Sequence, residues 1–140
     1  MNSRTLEERI SDEVRTFLSL FDAWISGRRA VDLDALLVSR LALDGTYVSR
    51  NGSVQTLLEL ADEVRAAHAA NPDYAVLPGT VRIIDAHAGR FVILYEERTS
   101  GSRLGPAPEF VRMVTAVLRE DAGTPGGFRW THIHEAQRDP

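Results

Sequence analysis

Residues 128–136 read FRWTHIHEA, with His132 and His134 two positions apart directly behind Trp130. The chain has four histidines, so half of its imidazoles fall in this one stretch. On a strand, a His-x-His pair can supply two metal ligands, but a metal centre needs a third His or a carboxylate. The remaining imidazoles, His68 and His87, fall at a helix end and beside a turn, and spacing does not bring either to the pair. An imidazole also titrates near pH 6.5, which suits acid/base catalysis when a partner orients the ring. A third reading makes the stretch the last strand of a core that happens to contain imidazoles.

A second stretch with chemical potential is Tyr95-Glu96-Glu97-Arg98, which brings charge onto an otherwise apolar run. Strand residues two apart share a face. Val92, Leu94, Glu96 and Arg98 therefore form one set, and Phe91, Ile93, Tyr95 and Glu97 the other. Glu96 and Arg98 could pair or clamp a polar ligand; as a solvated strand end they would simply meet water. In the last strand, Phe128, Trp130, His132 and His134 form one set by the same rule, and Arg129, Thr131, Ile133 and Glu135 the other.

The elements that must position these groups follow from periodicity. Leu6, Ile10, Val14, Phe17, Phe21 and Trp24 recur at helical spacing and predict a helix over 5–26. It opens on the capping box Thr5-x-x-Glu8 and stops at Gly27. Asp32 can cap a shorter helix over 33–41. Asp44-Gly45 turns into a short β-prone run at Thr46-Tyr47-Val48, and Asn51-Gly52 turns again. A third helix fits 54–69, ended by Asn71-Pro72-Asp73. The period then changes to two, with strands expected at 79–87, 90–99, 109–119 and 128–136. Ala88-Gly89 implies a hairpin, and 101–108 and 122–127 read as loops. Helices first and strands after predict an α+β fold in one domain.

Both faces of the 109–119 strand are largely apolar. Val111, Met113, Thr115 and Val117 share one, while Phe110, Arg112, Val114, Ala116 and Leu118 share the other. The helices can cover one face, so the other predicts a dimer through the sheet.

Composition narrows the function classes. The chain has 140 residues, 44% hydrophobic and 26% charged, with a net charge of −4 and no cysteine. Disulfides and thiolate metal sites are excluded. A net negative charge gives no reason to expect nucleic acid or an anionic membrane as partner. No run approaches the roughly 20 apolar residues of a membrane span, and the charged N-terminus lacks a leader's apolar run. The default expectation is a cytoplasmic protein.

The order of elements, the strand DGTYVSRNGS and above all Gly127-Phe128-Arg129-Trp130-Thr131-His132-Ile133-His134 resemble the nuclear-transport-factor-2-like, or SnoaL-like, superfamily. The last strand is similar to that of its uncharacterised branch and of the calmodulin-dependent kinase association domain, where the pattern is Gly-Trp-Arg-x-x-His-x-His. Phe128 stands here for the usual Trp, and Trp130 for an aliphatic residue. The resemblance covers about 5–136. It implies a cone-shaped, cystatin-like α+β barrel, with three N-terminal helices packed in a curved antiparallel sheet, often dimeric through that sheet. By analogy with the association domain it also implies that the Glu96/Arg98 face lines the cavity.

On that assignment His132 is the candidate general acid/base, with Glu96 or Arg98 to orient or polarise. Trp24, Tyr47, Leu94, Met113, Thr115 and Trp130 are the candidate ligand contacts. No cofactor or metal is expected. The ketosteroid isomerases' Tyr/Asp pair has no visible counterpart, since helix one carries Trp24 and Phe17 but no Tyr. The expected function is binding of a small molecule, with isomerase, cyclase or dehydratase chemistry on an apolar carbonyl compound. The alternative is a non-catalytic dimerisation or assembly module.

Overall fold

The computed structural model describes residues 4–102 and 108–138, so part of the loop expected at 101–108 lies outside the described residues. Helix α1 spans Leu6–Ser26. Thr5 Oγ1 accepts the Glu8 N–H at 3.2 Å, a cap worth about 1 kcal/mol. Gly27, at φ +72°, ends the helix in the left-handed conformation. Helix α2, Leu33–Leu36, is shorter than expected. A 3-10 turn at Val38–Arg40 follows, and Leu41 already opens strand β1, Leu41–Val48, where it pairs with Trp130.

Strand β2, Val54–Thr56, pairs with β1, so the third helix begins only at Leu57. Helix α3, Leu57–Ala66, is capped by Thr56 and Glu59 in a reciprocal capping box. Strand β3, Ala75–Pro78, was not expected from the sequence. It pairs with the end of β5, and Pro78 is tolerated because β3 is an edge strand. Strands β4 (Arg82–His87), β5 (Arg90–Ser100), β6 (Phe110–Glu120) and β7 (Phe128–Gln137) lie close to their expected positions.

The sheet runs β2-β1-β7-β6-β5-β3, with β4 also paired to β5. The β1–β7 pairing is parallel, so the curved sheet is mixed rather than wholly antiparallel. Its inner face packs on α1. Phe91, Ile93 and Tyr95 of β5 point inward, as do Val114, Ala116 and Leu118 of β6 and Phe128 and Trp130 of β7. Phe17 stacks on Trp130 with ring centroids 4.0 Å apart.

Beneath the stack Trp130 Nε1 donates to Glu13 Oε2 at 2.9 Å, and Glu13 pairs with buried Arg40. The backbone at Gly126 crowds this cluster: a Cβ there would lie 1.9 Å from Glu13 Oε1.

One irregularity decides what β7 presents. Val117 pairs with His132 but Leu118 pairs with Trp130, leaving Thr131 as an extra residue, a β-bulge. Alternation breaks there. Before the bulge Phe128 and Trp130 face inward; after it Ile133 and Glu135 do, and both are buried. His132 and His134 are turned to the outer face.

Candidate functional site

A cavity of about 360 Å³ lies between α1, α3 and the inner face of the sheet. Phe17, Phe21 and Ile25 from α1 and Leu60 and Val64 from α3 form its apolar wall. The polar groups come from the sheet side: Tyr47, Tyr74, Tyr95, Glu97, Arg112 and Glu135.

Strand register explains four of them. Glu97 on β5 stands directly opposite Arg112 on β6. Glu135 on β7 pairs with Val114, which places it diagonal to Arg112. Tyr47 on β1 pairs with Ile133, next to Glu135 on the same face. Four adjacent strands thus contribute one polar side chain each to a single row, with side chains within cross-strand reach.

Arg112 Nη1 donates to Glu135 Oε2 at 2.6 Å. The Tyr47 hydroxyl donates to Glu135 Oε1. Both carboxylate oxygens are engaged, and the Arg112 guanidinium lies 4.5 Å from the Phe110 ring centroid. Arg112 Nε is buried with no partner. Among the described residues, the Glu97 carboxyl and the Tyr74 and Tyr95 hydroxyls make no hydrogen bond either. A buried polar group without a partner is costly, and Arg112 Nε is one; the Glu97 carboxyl and the two tyrosines border the same cavity.

Electrostatics single out Glu97. Burial and then the negative charge of Glu135 push its pKa up to about 8, against the opposing pull of Arg112. It therefore retains its proton at neutral pH and can either give or take one. Burial likewise raises the Tyr47, Tyr74 and Tyr95 hydroxyls, keeping them as neutral donors.

Of the residues expected in the site from sequence, Tyr47 alone lines this cavity. Trp24 ties α1 to α3 instead: Nε1 donates to the Val64 carbonyl at 2.6 Å and the ring lies 4.2 Å from that of His68. Trp130 is wholly buried in the core, against Phe17 and Glu13. Glu96, Arg98, Leu94, Met113 and Thr115 lie on the outer face, because the Phe91–Ile93–Tyr95–Glu97 set is the one packed on α1.

Glu96 pairs with Arg138 and, at 3.6 Å, with Arg98. Leu94, Glu96 and Met113 meet in a shallow outer groove with Arg82 and Arg138. His132 also faces outward, placed there by the bulge, and burial and then His134 lower its pKa. The cavity face assignment therefore has to be reversed, from Glu96 to Glu97. Among the described residues no three His, Asp or Glu side chains are grouped to hold a metal.

Comparison with known proteins places this geometry in a wider setting. No family model matches the chain, and no curated protein matches it. Solved structures do. An NTF-2 like protein of unknown function from Pseudomonas aeruginosa superposes with a TM-score of 0.81 at 23% identity, over 94% of this chain and 99% of that one. The CaMKII hub of S. rosetta gives 0.71 at 15% identity, over 98% and 100%. A candidate ketosteroid isomerase from Shewanella frigidimarina gives 0.60 at 19%, over 91% and 94%. These likenesses show the fold, which is the NTF2-like one.

Proposed function

We propose that this chain binds a small, largely apolar carbonyl compound in the cone cavity and transfers a proton on it, chemistry of the isomerase, cyclase or dehydratase type. The observation that carries this reading is Glu97: a carboxyl with a pKa of about 8 and no hydrogen-bond partner among the described residues, facing a cavity walled by Phe17, Phe21 and Leu60. Glu97 would move the proton. Arg112 Nε and the Tyr74 and Tyr95 hydroxyls are unspent donors for a carbonyl oxygen on which negative charge develops. Tyr47 and the Arg112–Glu135 pair act as positioning groups that hold the row in place. The likeness in fold to a candidate ketosteroid isomerase is compatible with such chemistry but does not assign it.

The test is a panel of compact cyclic ketones and enones, followed by solvent deuterium exchange at the carbon next to the carbonyl. Wild-type protein is expected to exchange that hydrogen, and Glu97→Gln to lose exchange by at least about 100-fold while still binding the compound. Exchange that survives in Glu97→Gln would remove the proposal.

A second reading is a self-associating module. The outer face carries Val92, Leu94, Met113 and Val117, apolar and only partly buried. The occupant that suits it is a second copy of this chain, since charges that would repel a copy are already neutralised at the edge by the Glu96–Arg138 pair. The CaMKII hub likeness is consistent with an assembling fold. The two readings use opposite faces of the sheet and can both hold.

A further inference from the structure

Carboxyl groups outnumber cations in the cavity lining. Glu97 and Glu135 enter from the sheet and Glu63 from α3, against a single guanidinium, Arg112, among the described lining residues. Arg112 is committed to Glu135 at 2.6 Å, and Glu135 is completed by the Tyr47 hydroxyl. Glu63 accepts from Gln55 at 2.6 Å. Glu97 is left as the carboxyl with no counter-ion. Five aromatic rings, those of Phe17, Phe21, Tyr47, Tyr74 and Tyr95, line the same space. Ring faces attract cations, most strongly where water is excluded.

We propose that the cavity takes organic monoamines with a compact apolar body, the ammonium group entering as the counter-ion that Glu97 lacks. This rests on reading the cavity as a ligand site and names a second class of ligand for it. An amine seated on Glu97 would occupy the group that the carbonyl chemistry needs, so amines would compete with the carbonyl substrate.

The groups facing Glu97 support the sign. From β6 it meets Arg112, already neutralised; from β7, Glu135; from its own strand, Tyr95. Tyr74 precedes β3, Tyr47 comes from β1, Glu63 from α3, and α1 contributes only apolar side chains. Nothing in that set favours a second anion, and the apolar helix wall accommodates the ligand's body. A cavity of about 360 Å³ is at the small end for ligand sites and limits that body to about one ring.

Binding is proton-linked and balances simply. The neutral Glu97 carboxyl gives its proton to solvent as the ammonium arrives, and the resulting carboxylate pairs with it. With Glu97 ionising near pH 8, amine affinity should rise about tenfold from pH 7 to pH 9, below the ammonium's own pKa.

The experiment is titration calorimetry with four isosteric probes: cyclohexylmethylamine, cyclohexylmethanol, cyclohexanecarboxylate and cyclohexyl methyl ketone. Each is run at pH 7 in two buffers of different ionisation enthalpy. The amine is expected to bind at least tenfold tighter than the alcohol and the carboxylate, releasing about one proton. Glu97→Gln should abolish the proton release and weaken the amine at least tenfold.

The inference is overturned if the carboxylate outbinds the amine, if no proton is released, or if Glu97→Gln binds the amine like wild type. Ketone binding without amine binding would sink this inference alone. Amine binding without ketone binding would sink the carbonyl reading alone. Silence from all four probes would remove both.

Discussion

Glu97 is the residue on which the site turns, and its protonation has a consequence for stability. Folded Glu97 keeps its proton up to about pH 8, whereas an unperturbed glutamate loses it near 4.5. Between those values the folded state binds more protons than the unfolded state, so stability falls as pH rises through that window. Glu97→Gln keeps the shape and removes the titration. The two proteins should melt alike near pH 4.5, and the variant should melt higher at pH 8.5, by on the order of 10 °C. Melting curves that stay parallel from pH 4.5 to 8.5 would show that Glu97 titrates normally. The neighbouring side chains fit the same logic: Arg112 and Tyr47 are hydrogen-bonded to Glu135, so Arg112 acts on Glu97 only through its charge, which burial and Glu135 outweigh.

Among the elements, periodicity made the helices and most of the strands legible, together with the caps at Thr5 and Gly27. It also sorted β5 correctly into two sets of residues. Which set faces inward is a tertiary matter, because both carry apolar side chains and charges. The available signal was bulk: Phe91, Ile93 and Tyr95 give the Glu97 set more volume to bury than Val92 and Leu94 give the Glu96 set. Strand β3 is not legible in the sequence because it is four residues long and ends in a proline, which a strand tolerates only at an edge. The bulge at Thr131 has no clear sequence signature, yet it decides which way His132 points. Deleting Thr131 would remove the extra residue and restore strict alternation with the facings unchanged: Trp130, Ile133 and Glu135 inward, His132 and His134 outward. The deletion variant is therefore expected to keep cooperative urea unfolding. A variant that loses it would show that β7 needs the bulge itself and not only the facings it sets.

For the whole molecule, the cone divides its work between two faces of one sheet. The inner face and α1 enclose the cavity, and the outer face is proposed to meet a second copy. No helix among the described residues is long and apolar enough to cross a membrane. Placing arginine at the centre of the outer face, in a Leu94→Arg/Met113→Arg variant, should leave the fold intact, since neither side chain belongs to the buried core. Sedimentation velocity is expected to give a dimer for wild type and a monomer for the variant. A wild-type monomer at tens of micromolar would refute self-association through this face. Cavity binding should survive in the variant, because the cavity is built from the opposite face.

The central claim is that the cavity holds a carboxyl that keeps its proton at neutral pH. It is tested most directly by following the side-chain carboxyl carbons of carbon-13-labelled glutamates by NMR from pH 3 to 10. One resonance, absent from Glu97→Gln, should titrate with a midpoint near 8. If the Glu97 resonance instead titrates below about pH 5.5, within the ordinary spread for glutamate, the account of the site is wrong.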